Sequence, residues 1–124
     1  MNRFEARAHL KVRDGQLEGF KRQAAEMMRV TREKDTGTLA YDWFLSQDAT
    51  ECEVHEAYVD ADALVEHALN VRDARAVMFA DFAYDHQMAF YGDPSPRLLA
   101  LVDKIGVGAE WFTPLQALEA ENVR

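Results

Sequence analysis

The chain has little cysteine and little positive charge. Cys52 is the single cysteine among 124 residues, so no disulfide can form within the chain. Only 14 lysine and arginine residues oppose 22 aspartate and glutamate residues, which gives a net charge of −8. Phosphate backbones and anionic membrane surfaces both require a basic face. The composition therefore argues against a disulfide-held scaffold, a nucleic-acid partner and a membrane partner.

Long apolar runs are also missing. No stretch approaches the roughly 20 apolar residues of a membrane span, and the opening MNRFEARAHLKV lacks the apolar centre of a signal peptide. We therefore expect a cytoplasmic protein. The length and the apolar fraction of 48% suit one domain with its own core. We assign residues 1–124 to a single domain, with a core over about 4–91 and an extension over about 92–124.

Apolar residues recur alternately at period two and at helical spacing. This predicts strands over 4–12, 38–46, 51–58 and 84–91, a helix over 16–34, and a second helix after Asp60 that breaks near Asn70. A short helix over 97–104 and a short strand over 109–113 are expected in the extension. The order β-α-β-β-α-β is the split, ferredoxin-like motif. The predicted fold class is α+β, with an antiparallel sheet.

Each predicted strand has one apolar face, which both helices should cover. It is expected to carry Phe4, Ala6, Ala8, Leu10, Leu39, Tyr41, Trp43, Leu45, Val54, Tyr58, Met88 and Phe90. The polar groups on this side include Glu56, His67, His86 and the Tyr84 hydroxyl. A buried carboxylate or imidazole destabilises a protein unless it is paired. These groups therefore either satisfy one another or line a cavity.

The opposite face mixes polar and aromatic side chains, which suits the pairing of two subunits. His9 and His55 lie on it, but histidines at a polar interface need no metal, and no metal site is predicted. Asp35, the other aspartates near helix ends and the scattered arginines are interpreted as caps or solvated surface. The sequence has no glycine-rich phosphate loop and no zinc-ligand spacing.

Three segments, in this order, resemble the antibiotic biosynthesis monooxygenase family of small dimeric α/β barrels. They are Val12 to Gly15 followed by Phe20, Thr36 to Phe44, and Glu56-Ala-Tyr58 followed by a helix with His67. The likeness runs from about Phe4 to Tyr91. It implies two ferredoxin-like sheets meeting face to face in a homodimer. It also implies a pocket between sheet and helices, in which members oxygenate quinols, anthrones or polycyclic phenols with O2 and no cofactor.

The resemblance also suggests individual roles. Tyr58 stands where many members have a tryptophan, and His67 matches a histidine common on the family's second helix. Heme-degrading relatives carry an asparagine at the position of Ala8, which makes heme degradation less favoured. His67 and Tyr58 are the catalytic candidates. The candidates for substrate binding are Tyr41, Trp43, Glu56 and His86.

Two alternatives for His67 stay open: a group that takes a proton from substrate, or a core histidine bonded to Glu56. Histidine gains and loses protons near neutral pH, and a phenolate reacts with O2 far more easily than a phenol. The leading hypothesis is a cofactor-independent monooxygenase of a small electron-rich aromatic. The alternative is a non-catalytic ligand-binding or scaffold protein of the same fold, which would have a filled core and no cavity.

Overall fold

A computed structural model describes residues 3–118 as one five-stranded sheet covered by helices on one side. The predicted α+β class is confirmed. Residues 119–124 of the expected extension lie outside the described part of the chain. In chain order the elements are β1 (Phe4–Val12), α1 (Leu17–Lys34), β2 (Thr38–Leu45), β3 (Glu51–Tyr58), α2 (Ala61–Asn70), α3 (Arg72–Val77), a π-helical turn (Met78–Phe82), β4 (Ala83–Tyr91), α4 (Pro96–Ile105) and β5 (Gly108–Phe112).

The sheet has the order β2-β3-β1-β4-β5 and is open. Strand β1 lies at its centre and pairs antiparallel with both β3 and β4, as the split motif requires. Strand β5 adds a parallel edge beside β4, so the extension enlarges the sheet. Within residues 3–118 no helix is both long and apolar enough to cross a membrane.

The helices begin and end where local chemistry favours it. Asp60 caps α2, its side chain accepting a hydrogen bond from the Ala63 amide. Ser95 caps α4, where Pro96 stands in the first turn and needs no amide partner. Gly106 ends α4 at φ 76°, a left-handed conformation that glycine adopts without strain. The break predicted near Asn70 separates α2 from α3.

The helix-covered face is the predicted one over most of its area. Phe4, Ala6, Ala8 and Leu10 alternate into the core from β1. Phe20 and Met27 of α1 pack with Ala8 and Leu10, whereas Phe4 and Ala6 pack with residues of α2 and α4. Buried apolar area of this kind is the main stabilising contribution to the fold.

Two residues expected on that face lie elsewhere, and a third lies on it but is exposed. Asp85 has φ 57° and the β1–β4 register shifts beside it, so Tyr84 pairs with Lys11 on the open face. Leu39 is 54% exposed because the β2–β3 register shifts between Thr38 and Ala40. Leu45, at the end of β2, is 40% exposed.

Candidate functional site

A cavity of about 90 Å³ lies between the sheet and the helices. Its walls are formed by inward side chains of β1 to β4 and by residues of α1, α2, α3, the π-helical turn and α4. Most lining residues are apolar. The polar ones are Tyr41, Trp43, Glu56, His67, Arg75 and His86. The side chains of the helix–sheet interface therefore leave a space unfilled. The non-catalytic alternative predicted a filled core with no cavity.

His67 is held by a buried aspartate rather than by Glu56. Its Nδ1 lies 2.7 Å from Asp35 Oδ2, and the two side chains are 6% and 2% exposed. Thr38 and Asn70 donate further hydrogen bonds to the same carboxylate. Asp35 does end α1 as its C-cap residue, but its side chain is buried and not solvated. Of the two alternatives for His67, the hydrogen bond to Glu56 is not formed.

The surroundings of Asp35 keep it ionised. Burial alone raises the pKa of this carboxyl, but hydrogen bonds from His67, Asn70 and Thr38 outweigh burial and hold the pKa below its usual range. An ionised carboxylate can only accept hydrogen bonds, so Nδ1 of His67 must carry a proton. In the neutral ring Nε2 is then an acceptor. Nε2 makes no hydrogen bond within the described chain, and His67 lines the cavity.

Glu56 is the second ionisable group of the cavity wall. It follows Val54 at the alternate position on β3, and pairs across the sheet with Tyr41. Tyr58 donates a 2.5 Å hydrogen bond to its Oε1. Burial raises the pKa of Glu56, although His67, Tyr58 and Arg75 oppose the rise. The carboxyl therefore keeps its proton to higher pH than an exposed glutamate.

Tyr58, a predicted catalytic residue, is placed behind Glu56 and not on the cavity wall. It is fully buried and is absent from the residues that line the cavity. Burial, and then the neighbouring Glu56 charge, raises its pKa well above the usual value. The phenol therefore stays protonated and serves as a fixed donor to Glu56. Its position indicates a supporting role.

Tyr41 and Trp43 form an aromatic wall on β2, as predicted. The Tyr41 ring lies 4.5 Å from that of His67 and 5.7 Å from that of Trp43, edge to face in both cases. Burial, followed by the charges of Glu56 and Asp35, raises the pKa of Tyr41 well above its usual value, so its hydroxyl remains a donor. The indole Nε1 of Trp43 is buried without a hydrogen-bond partner, alone among the side-chain nitrogens and oxygens of residues 3–118.

His86 and Arg75 complete the polar lining. The His86 ring stacks on Phe79 at 4.6 Å and its Nε2 lies 3.1 Å from the sulfur of Met88. Burial, aided by the Arg75 cation, lowers the pKa of His86 to about 4, so this ring is neutral at physiological pH. Arg75 was not predicted. It lies where α3 faces the sheet, and the sequence offered no signal beyond its helical spacing from Val71.

The arrangement is suited to proton transfer. A proton acceptor, Nε2 of His67, and a carboxyl with a raised pKa, Glu56, line one largely apolar cavity. A buried carboxyl with a raised pKa inside a cavity is typical of acid–base sites. Over residues 3–118 no group of three or more histidine, cysteine or acidic side chains could hold a metal ion. His9 pairs with Glu51 and His55 lies near Glu53, on the open face.

Comparison with solved structures supports the fold. MupZ from Pseudomonas fluorescens is 21% identical, with a TM-score of 0.81 over 100% of this chain and 99% of its own. A proposed antibiotic biosynthesis monooxygenase from Nitrosomonas europaea is 19% identical, with a TM-score of 0.65 over 77% and 93% of the two chains. Rv0793 from Mycobacterium tuberculosis is 21% identical, with a TM-score of 0.65 over 76% and 97%.

Similarity at this level of identity establishes the fold and not the reaction. A search of curated protein sequences finds no significant match. The family model of antibiotic biosynthesis monooxygenases matches residues 3–77, from the start of the described chain to the end of α3. This matched segment holds both His67 and Glu56. The chain therefore belongs to the antibiotic biosynthesis monooxygenase family.

Proposed function

We propose that the chain is a cofactor-independent monooxygenase of a small electron-rich aromatic, a quinol or phenol. The observation that carries the proposal is the His67–Asp35 pair, whose free Nε2 faces the same apolar cavity as the Glu56 carboxyl. A base in this position can remove the hydroxyl proton of the substrate. The resulting phenolate reduces O2, which is the step that a neutral phenol performs poorly.

The remaining groups have consistent roles. Asp35 fixes the ring tautomer and stabilises the imidazolium that forms, as a carboxylate does behind many catalytic histidines. Tyr41 and Trp43 pack against a flat ring.

Addition of O2 to the ring gives a hydroperoxide, whose O–O bond breaks as a proton is supplied to the departing oxygen. Glu56, whose pKa is raised by burial, is the proposed donor. For a quinol the balance is quinol plus O2 giving hydroxyquinone plus water.

The cavity volume favours a single ring. An apolar cavity of about 150 Å³ accepts benzene, and this one measures about 90 Å³. A one-ring quinol therefore requires modest side-chain movement. A polycyclic phenol requires displacement of a wall.

The test is O2 uptake with hydroquinone and ¹⁸O2, corrected for uptake without protein. We expect one ¹⁸O atom in the hydroxyquinone and one in water. His67→Gln should lower the rate by about 10²-fold or more, the usual contribution of a positioned base. His55→Gln, which changes an exposed histidine on the open face, is the matched control. Unchanged turnover in a folded His67→Gln protein would refute the assignment, and binding without O2 uptake would favour a ligand-binding role.

A further inference from the structure

Arg75 brings a positive charge to the cavity without a matching negative one. Its Nη1 donates to the carbonyl of Ala68, near the end of α2. That bond occupies one of the five N–H donors of the guanidinium. Among residues 3–118, no carboxylate forms an ion pair with Arg75, and the side chain is half-buried. A partly desolvated cation with free donors is a binding site for an anion.

The acidic groups nearest to Arg75 are engaged elsewhere. Glu56 accepts from Tyr58. Asp35 is surrounded by the donors of His67, Thr38 and Asn70. His86 stays neutral near neutral pH and so supplies no competing charge. Glu56 is close enough for its charge to interact with that of Arg75, but no carboxylate of residues 3–118 bonds to the guanidinium, whose remaining donors stay available to a ligand.

Trp43 supplies a second donor that lacks a partner. Its buried Nε1 faces no acceptor in the described chain, although Trp43 lines the cavity. Buried donors are nearly always satisfied in folded proteins, so an exception indicates a missing acceptor. An oxygen atom of a ligand would provide it once a small movement of the cavity wall uncovers Nε1.

We infer that the substrate is an aromatic carboxylate, whose carboxylate binds Arg75 while another of its oxygens accepts from Trp43. The inference rests on the proposed function for the aromatic ring and adds an anionic substituent to it. Arginine binds carboxylates through parallel N–H···O bonds, which fix the ligand's direction as well as its affinity. A carboxylate held at Arg75 would leave the ring hydroxyls free to approach His67 and Glu56.

Ligand binding measured under argon tests the inference, because the proposed reaction cannot proceed without O2. The probes are 2,5-dihydroxybenzoate, its neutral amide 2,5-dihydroxybenzamide, and hydroquinone, titrated by calorimetry near neutral pH. We expect the acid to bind about tenfold or more tightly than the amide, as a charge-assisted hydrogen bond should produce. Arg75→Gln should bring this ratio close to one. Arg75→Lys, which keeps the charge but loses the planar fork, should give an intermediate ratio.

Arg72→Gln is the matched control, because it makes the same change of net charge on the same helix at an exposed side chain outside the cavity. It should keep the wild-type ratio. Trp43→Phe should weaken binding of the acid about fivefold, the contribution of a neutral hydrogen bond. An equal affinity of the wild type for acid and amide, no binding of any probe, or an unchanged ratio in Arg75→Gln or Arg75→Lys would overturn the inference.

The calorimetry separates this inference from the proposed function. If the acid is preferred and the preference depends on Arg75, but no O2 is consumed, the anion site stands and the oxygenase proposal fails. If hydroquinone is oxygenated and the rate depends on His67, while the acid and the amide bind equally, the oxygenase proposal stands and the anion site fails.

Discussion

The burial of Glu56 lowers the stability of the fold. A carboxyl group surrounded by apolar side chains is less stable as an anion than it would be in water. Its hydrogen bond from Tyr58 and the nearby Arg75 offset only part of this, because the pKa remains raised. A glutamine of the same shape could still accept from Tyr58 and would carry no such penalty.

We therefore predict that Glu56→Gln stabilises the protein increasingly as pH rises. The folded wild type holds its Glu56 proton longer than the unfolded chain does. Its free energy of unfolding consequently falls as pH rises from about 4.3, the ordinary glutamate value, to the raised pKa, by at most about 1.4 kcal/mol per pH unit. Urea unfolding of wild type and variant at about pH 5 and about pH 8 should show a larger difference at the higher pH.

The control for this prediction is Glu53→Gln, three residues earlier on β3 and therefore on the open face. Its stability difference from wild type should vary little over the same range. A constant difference for Glu56→Gln would mean that the Glu56 pKa is not raised. The same variant should lose turnover, because an amide cannot release the proton assigned to Glu56.

The residue types of the site could be predicted from the sequence, but their partners could not. Period-two alternation placed Glu56, Tyr41 and Trp43 on the helix-covered face, and helical spacing did the same for His67. Asp35 was missed because it directly follows α1, where an aspartate resembles a surface residue. It is buried because β2 begins three residues later and Asn70 closes over it, which are long-range contacts with no local signature.

At the scale of elements, the extension after β4 shapes the cavity. Helix α4 contributes several lining residues, among them Leu98 and Leu101. The family model ends at residue 77, whereas the alignment with MupZ covers the whole chain. Because α4 forms part of the cavity wall, we expect the extension to limit the size of the ligand, in addition to adding β5 to the sheet.

We predict that Leu101→Ala admits larger rings. The change removes three carbon atoms from a half-buried wall residue. Each buried methylene equivalent of a ligand contributes about 0.8 kcal/mol, so filling the three vacated positions, worth about 2.4 kcal/mol, should make 1-naphthol bind roughly fiftyfold more tightly than it binds the wild type. Hydroquinone affinity should change little. Calorimetry under argon measures both.

Leu99→Ala is the matched control, since Leu99 lies on the same helix and is 46% exposed. It should bind both ligands as the wild type does. If Leu101→Ala binds 1-naphthol no better than Leu99→Ala does, α4 does not limit the size of the ligand.

The existence and order of the elements could be predicted from the hydrophobic periodicity. The bulge at Asp85 and the π-helical turn before β4 could not. A bulge inserts one residue and reverses the facing of everything beyond it. The sequence around Asp85 contains no glycine to indicate the turn of the chain, so Tyr84 was placed on the wrong face. The π-helical turn before β4 was likewise hidden within an apolar helical pattern, although two of its residues, Met78 and Phe79, line the cavity.

At the scale of the whole molecule, the open face of the sheet keeps large side chains in contact with solvent. Phe44 is 52% exposed, Tyr84 45% and Phe112 49%. Phe44 also packs against His55 with ring centroids 4.9 Å apart. Exposed apolar groups that share one face are typical of an interaction surface. We propose that two copies pair through this face, as the family resemblance implies.

The prediction is a particle of twice 14.1 kDa in light scattering, dissociated by Phe44→Arg. In a two-fold interface each substitution enters twice, and like charges repel across it, so the dimer dissociation constant should rise roughly hundredfold or more. Leu69→Arg, which makes the same change at an exposed residue of α2 on the other side of the molecule, should leave the mass unchanged. A wild type with the mass of one chain, or a Phe44→Arg variant that keeps the mass of two, would contradict pairing through the open face.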